Sequence, residues 1–210
     1  MPKPRVLLAD DHALILEGLR RVLEPEFEIV GTAANGRQLV TMALELRPDA
    51  VLVDVGMPEL NGIEAARQIR RALPSVKILF VTQMEDRAYA RAAFQAEASA
   101  YLLKQSAVAE LCTALHEALA GRYYVSESLR GLLDAGFDPD RNPASGVLTP
   151  RQREVLQLVA EGKTGKEIAT SLGISVKTVE FHKSAIMQEL GLRSIAELTR
   201  YAIEHGILPT

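Results

Sequence analysis

The first 120 residues alternate five short apolar runs with stretches of helical periodicity, and this alternation limits the folds open to the chain. Most of the runs are continuously apolar, which is typical of strands buried on both faces of a parallel sheet. They are RVLLA (5–9), EIVGTA (28–33), AVLVD (50–54), VKILFVT (76–82) and AYLLK (100–104). Five strand–helix units in succession predict a doubly wound α/β domain with the flavodoxin-like strand order 2-1-3-4-5.

The C-terminal part has helical periodicity throughout and predicts a small all-α domain. Capping residues and glycines divide it into four helices, at about 150–161, 165–172, 176–190 and 195–205. Between the two patterns, Gly, Pro, Asp and Asn become frequent, as in a linker. We therefore expect domains at 1–121 and 147–210, joined by a linker at 122–146 that contains a short helix at 126–134.

Composition excludes several classes of protein. The apolar runs are far shorter than the roughly 20 residues that span a bilayer, and the N-terminal run is too short for a secretory signal. The chain has 1 cysteine, Cys112, so it forms no internal disulfide. We expect a cytoplasmic protein with no membrane partner.

Five polar side chains stand at the carboxyl ends of the predicted strands, where parallel α/β sheets bind ligands. They are Asp10, Asp11, Asp54, Thr82 and Lys104. Three converging carboxylates repel one another unless a cation joins them, and Mg²⁺ prefers oxygen ligands of this kind. A carboxylate beside Mg²⁺ and a lysine can attack phosphorus and form an acyl phosphate.

These residues lie in blocks that resemble the receiver domain of bacterial response regulators over residues 4–120. The blocks are LLADDHALILEGLRRVL, VLVDVGMPELNGIEAARQIR, ILFVTQ and ASAYLLKQS. The resemblance implies that Asp54 is the phosphoacceptor and that Lys104 holds the phosphoryl group. It also implies a switch pair and a set of residues that organise Mg²⁺: Thr82 and Tyr101 for the switch; Asp10, Asp11, Asp54 and the Gly56 carbonyl for the metal.

Two features depart from the family pattern. Glu97 stands where these domains often have glycine, so a different form of the turn before the fifth strand is open. Gly56 and Met84 occupy positions that tune hydrolysis of the aspartyl phosphate, and neither side chain can orient water. We therefore expect a persistent phosphoryl group.

The segment 162–190 predicts a helix-turn-helix, whose second helix enters the DNA major groove. In that helix Val176, Val179, Ile186 and Leu190 form an apolar stripe. Opposite it, Glu180, Phe181 and Ser184 can meet base edges. Four neighbours can meet phosphates: Lys177, Thr178, His182 and Lys183. Alternatively, Phe181 folds under a loop, His182 is packed and the lysines are merely solvated.

Residues 148–203 closely resemble the LuxR-type DNA-binding domain, and with a receiver in front the chain resembles the NarL/FixJ class of response regulators. The resemblance implies that a sensor histidine kinase controls dimerisation and binding to a two-fold-related site on double-stranded DNA, and so transcription. It implies a signalling protein rather than an enzyme, although the receiver phosphorylates itself from a phosphodonor. The last helix would pair two copies through Ile195, Leu198 and Ala202; alternatively that stripe packs on its own domain, or does both.

Two other functions are open to the sequence. An Mg²⁺-dependent phosphohydrolase would also use clustered aspartates, but it would leave residues 148–203 unexplained. A receiver that signals by contact with a partner, without phosphorylation, is the second alternative; such receivers usually lack one of the acidic-pocket residues.

Overall fold

A computed structural model of the chain describes residues 2–83, 87–127, 129 and 148–208, without the side chains of residues 87, 88 and 91. The chain divides into two compact units, Met1–Asn142 and Pro143–Thr210. Within the described ranges, no helix is long and apolar enough to cross a membrane.

The first unit is a parallel sheet with helices on both faces. Its strands are β1 (Arg5–Ala9), β2 (Glu28–Ala33), β3 (Ala50–Val53), β4 (Lys77–Thr82), β5 (Ala100–Leu103) and β6 (Tyr124–Val125). Its helices are α1 (Ala13–Leu23), α2 (Gly36–Leu46), α3 (Gly62–Ala72), α4 (Arg87–Gln95) and α5 (Lys104–Leu119). The strand order is β2-β1-β3-β4-β5-β6, which confirms the predicted doubly wound fold and adds one strand.

The sixth strand lies within the first residues of the expected linker. Tyr124 and Val125 pair in parallel with Ala100 and Tyr101, so these residues belong to the sheet and not to a free connection. A two-residue strand is too short to leave a periodic signal in the sequence. The expected helix at 126–134 lies mostly outside the described residues.

Alternate residues of the central strands lie in two separate hydrophobic cores, one on each face of the sheet. Leu7, Val51, Ile78 and Tyr101 point to the side covered by α2, α3 and α4. The neighbouring residues Val6, Ala50, Leu79 and Ala100 point to the side covered by α1 and α5. Burial on both faces explains why these strands read as continuous apolar runs.

Local signals fix the helix starts and one turn of this unit. The side chains of Asn35 and Asn61 accept hydrogen bonds from the backbone N–H of Gln38 and Glu64, as the capping pattern predicts. Glu97 has a φ of 58°, in the left-handed region that glycine tolerates best. The turn before β5 therefore keeps a left-handed backbone although it carries a glutamate.

The second unit contains the four predicted helices. They are α6 (Pro150–Ala160), α7 (Gly165–Leu172), α8 (Val176–Leu190) and α9 (Ile195–Glu204). Thr149 and Thr164 form complete capping boxes, and Ser175 and Ser194 cap the next two helices. A left-handed Gly173 ends α7 and turns the chain into α8, which gives the helix-turn-helix its short connection.

Candidate functional site

The acidic side chains converge because their strands are neighbours in register. Ala9 pairs with Val53, and the Asp54 N–H donates to the Ala9 carbonyl at 2.9 Å, so Asp10 and Asp54 leave the sheet side by side. Leu103 pairs with Thr82, and Lys104 follows directly after it. The strand order and register therefore bring these residues together at one edge of the sheet, as the sequence predicts.

Lys104 links the two buried aspartates. Its Nζ lies 2.6 Å from Asp10 Oδ2 and 2.8 Å from Asp54 Oδ2. Burial by itself lowers the pKa of Lys104, but the hydrogen bonds and charges of Asp10 and Asp54 outweigh burial and raise that pKa above its ordinary value. The lysine is therefore charged at neutral pH and can neutralise the charge of an anion bound at this position.

The pocket retains an excess of negative charge that suits a divalent cation. Carboxylate oxygens of Asp10, Asp11 and Asp54 and a ring nitrogen of His12 all lie within 4.8 Å of one another. Among the described residues no donor reaches Asp54 Oδ1, which is fully buried. A buried carboxylate oxygen without a partner is costly. These residues fit a hard cation bound at that oxygen.

His12 is a member of this cluster that the sequence reasoning missed. Its Nδ1 lies 2.7 Å from Asp11 Oδ1 and 3.1 Å from Asp10 Oδ1, and its backbone N–H also donates to Asp10. The signal was available, because His12 directly follows the two aspartates at the end of β1.

The loop after β3 returns closely to Asp54. The N–H of Gly62 donates to the Val55 carbonyl at 3.0 Å. A Cβ on Gly62 would lie 1.9 Å from the backbone oxygen of Asp54, a distance that no side chain can occupy. Only glycine permits this approach, so Gly62 helps to hold Asp54 in place. Gly56, expected to contribute its carbonyl to the metal, lies half-buried in the same loop.

The two expected switch residues are both fully buried. Thr82 ends β4, and the Tyr101 ring lies 6.2 Å from the Phe80 ring and 6.5 Å from the Phe94 ring. The aromatic side chain of Tyr101 is thus turned into the core. Met84, expected to influence the lifetime of the phosphoryl group, lies outside the described residues.

Helix α8 exposes the polar stripe that the sequence placed opposite its core face. Phe181 is 68% exposed, which excludes the alternative that its ring folds under a loop of its own unit. Lys177, Glu180 and Ser184 are exposed around it. Thr178, His182 and Lys183 are half-buried at the border of the stripe.

The core face of α8 is narrower than predicted. Val179 and Ile186 are buried and Leu190 is partly buried, but Val176 is 41% exposed. Val176 is the first residue of the helix, so it projects past the end of the hydrophobic core rather than into it.

Within the stripe, Glu180 is held by its neighbours. Its Oε1 lies 3.2 Å from Lys183 Nζ, and a Cβ on Gly165 of α7 would lie 3.1 Å from the same oxygen. The glycine therefore leaves room for the carboxylate of Glu180 beside α7. The His182 ring packs edge-on against Phe181, with the ring centroids 5.8 Å apart.

The expected dimerisation stripe of α9 needs correction. Leu198 and Ala202 are buried in the core of the second unit, together with Val155 and Val179. They cannot contact a second copy, and the alternative of packing within their own domain is correct for both. Ile195 is 57% exposed because it begins the helix, and it alone of the three residues remains open to a partner.

Comparison with known proteins agrees with this architecture. Residues 6–116 match the response regulator receiver domain, and residues 146–202 match the bacterial regulatory proteins of the luxR family. The chain is 36% identical to the transcriptional regulatory protein MctR of Rhizobium johnstonii, over 99% of this chain and 96% of that protein. It is 35% identical to the oxygen regulatory protein NreC of Staphylococcus aureus, over 97% of this chain and 99% of NreC.

Solved structures show the same arrangement of domains along the chain. The RcsB response regulator of Salmonella typhimurium matches with a TM-score of 0.66 and 30% identity, covering 98% of this chain and 99% of RcsB. A structure of RcsB in complex with DNA matches with a TM-score of 0.60 and 30% identity, covering 95% and 97%. The chain therefore belongs to the NarL/FixJ class of response regulators, which join a receiver domain to a LuxR-type DNA-binding domain and regulate transcription.

Proposed function

We propose that Asp54 accepts a phosphoryl group from a sensor histidine kinase, or from a small phosphodonor, and that this event controls DNA binding by the second unit. The observation that carries the proposal is the environment of Asp54. Its carboxylate is buried, one oxygen is paired with Lys104 and the other has no donor among the described residues. A carboxylate held in this way is positioned to attack phosphorus and to bind a cation.

In the proposed reaction, an oxygen of Asp54 attacks phosphorus and the bond from phosphorus to the donor breaks, with its electron pair leaving on the donor. Lys104 shifts one of its contacts to the phosphoryl oxygens and neutralises part of their charge. Thr82, at the end of β4, donates a hydrogen bond from its hydroxyl to an oxygen of the new phosphoryl group. The product is an acyl phosphate on Asp54.

Mg²⁺ is the cofactor we propose for this site, held by Asp10, Asp11, Asp54 and the Gly56 carbonyl. Mg²⁺ binds through few carboxylates and keeps several waters, which suits a site with three carboxylates at a sheet edge. When bound, it supplies electrostatic stabilisation of the oxygens on the transferring group.

The proposal predicts that acetyl phosphate adds one phosphoryl group to the purified protein in the presence of Mg²⁺. Intact-mass spectrometry measures the addition, and a parallel sample with excess EDTA should show none, because the uncompensated carboxylates repel the donor. An unmodified wild-type protein in Mg²⁺ would instead favour the alternative receiver that signals without phosphorylation.

The phosphorylated state is transmitted, in this proposal, by Thr82 and Tyr101. Thr82 moves toward the phosphoryl oxygens and Tyr101 takes the buried position. To move a two-state equilibrium from 1:99 to 99:1 takes about 5.5 kcal/mol of differential stabilisation. New charge-assisted hydrogen bonds form between the phosphoryl group and residues that include Lys104 and Thr82. Their combined free energy is large enough to supply much of this stabilisation.

At the second unit we propose that α8 reads the major groove. Glu180 accepts from a cytosine amine, Phe181 packs on a thymine methyl, and Ser184 bonds a base edge. Lys177, Thr178, His182 and Lys183 meet phosphates. The carboxylate of Glu180 offsets part of the phosphate attraction, so a single copy binds weakly and two copies on a two-fold-related site bind firmly.

We further propose that the phosphorylated protein forms a homodimer with Ile195 at its interface, and that it acts in the cytoplasm, where its DNA target lies.

The domain bounds 1–121 and 147–210 remain a prediction, since residues 130–147 lie outside the described part of the chain. The strand at Tyr124–Val125 supports a receiver that extends past residue 121.

Replacing Phe181 with alanine should weaken binding of the phosphorylated protein to DNA selected by the wild type. Fully burying a Phe side chain is worth about 1.5–3 kcal/mol, so we expect roughly a 10- to 150-fold loss of affinity, measured by fluorescence anisotropy of labelled DNA. Gln188→Ala is the matched control, because Gln188 is exposed on the same helix but near its C-terminal end. Equal losses in the two variants would contradict a base contact by Phe181.

A further inference from the structure

The start of the chain segment that leads to the second unit is fastened to the receiver by one carboxylate. Glu110 Oε2, on α5, accepts hydrogen bonds from the Ser126 hydroxyl at 2.7 Å and from the Tyr124 hydroxyl at 3.1 Å. Ser126 is fully buried, and its hydroxyl oxygen also lies 3.1 Å from that of Ser106. We call Glu110, Tyr124 and Ser126 the Glu110 clamp.

The clamp is needed because β6 is very short. The backbone hydrogen bonds at the ends of this strand run from Tyr124 N to Ser99 O and from Ser126 N to Tyr101 O. An edge strand of two residues has little stability of its own. Hydrogen bonds to a carboxylate are stronger than neutral ones, so Glu110 supplies much of what holds this segment on the sheet.

The same segment touches the expected switch residue in two ways. The Tyr101 carbonyl accepts the Ser126 N–H at 3.2 Å, which joins β6 to the backbone of Tyr101. Leu129, only three residues later, is buried in the same core cluster as Tyr101 and Phe94. The structure therefore combines a buried Tyr101 ring, a paired β6 and a buried Leu129.

We propose that β6 couples the position of the Tyr101 ring to the conformation of the chain that continues into the DNA-binding unit. This coupling depends on the Glu110 clamp, which holds β6 on the sheet. With the Tyr101 ring buried, the core around Leu129 is filled and β6 stays paired. When the ring leaves, that core loses its largest fully buried side chain, and the short strand is released. This inference rests on the proposed function, which assigns the buried ring to the phosphorylated state.

Hydrogen–deuterium exchange of the full chain tests the proposal, with beryllium fluoride and Mg²⁺ as the probe for the phosphorylated state. In the wild type the amides of Tyr124 and Ser126 should exchange more slowly when the probe is added. In Glu110→Ala they should exchange at least about tenfold faster than in the wild type in both states, because two charge-assisted hydrogen bonds are lost. Thr113→Ala, an exposed position on α5, is the matched control.

DNA binding separates a coupling role from a merely structural one. Glu110→Ala should accept a phosphoryl group from acetyl phosphate to the wild-type extent, yet lose most of the gain in DNA affinity that phosphorylation gives. Tyr124→Phe, which removes one of the two bonds to Glu110, should show a smaller loss in the same direction and keeps the test available if the first variant folds poorly.

Two results would overturn the inference while leaving the proposed function intact. One is wild-type exchange at Tyr124 and Ser126 in Glu110→Ala; the other is rapid exchange there with an undiminished gain in DNA affinity. If the wild type itself gains no DNA affinity with the probe, the proposed function fails, and the coupling fails with it.

Discussion

Replacing Asp54 with asparagine should abolish phosphorylation of the protein and with it the gain in DNA affinity that phosphorylation produces. The amide is a poor nucleophile and cannot form an acyl phosphate, although its oxygen can still accept from Lys104. Coupling between two sites usually amounts to about 1–3 kcal/mol, so the wild type should gain roughly 5- to 150-fold in affinity. The variant should stay at the unphosphorylated value, measured by anisotropy after treatment with acetyl phosphate and Mg²⁺.

Asp49→Asn provides the control for that experiment. Asp49 is exposed at the opposite end of β3, and its carboxylate accepts the Arg5 N–H at 2.7 Å, which an asparagine oxygen can also do. This variant should be phosphorylated and bind DNA as the wild type does. If Asp54→Asn kept the gain in affinity while Asp49→Asn behaved normally, phosphorylation of Asp54 would not be the controlling event.

Replacing Gly62 with alanine should destabilise the receiver strongly. The new Cβ would stand 1.9 Å from the Asp54 backbone oxygen and 2.9 Å from Val53 Cγ2. Relief requires movement of the backbone at the end of β3, so we expect a loss of roughly 3 kcal/mol or more in the free energy of unfolding. Urea denaturation followed by circular dichroism measures this loss, and the rate of phosphorylation should fall as well, because Asp54 moves with its carbonyl.

Gly18→Ala is the matched control for Gly62→Ala. Gly18 lies on the exposed side of α1, and a Cβ there would meet nothing within 4 Å. Alanine is the better helix former, so this variant should be more stable by about 0.5–1 kcal/mol. Similar free energies of unfolding for the two variants would show that the approach of Gly62 to Asp54 is not under steric constraint.

Much of the candidate site could be predicted from the sequence, because its residues stand at strand ends that periodicity alone locates. Asp10, Asp54 and Lys104 each follow a continuous apolar run, and parallel strands bring such positions to one edge. The ion pairs of Lys104 with both aspartates could not be predicted in detail, since they depend on side-chain conformations inside the pocket. His12 directly follows the two aspartates, so its place in the sequence was a usable signal, but only the folded pocket shows that its ring turns toward them.

Local periodicity and capping residues specify most of the fold: the receiver strands other than β6, the capped helices of both units and the stripe of α8 that carries Phe181. Which apolar residues stay exposed depends instead on how the helices pack, because helix ends leave Val176 and Ile195 outside while Leu198 and Ala202 are buried. The tertiary structure alone produced β6, because a strand of two residues exists only where β5 and Glu110 are already in place to bind it.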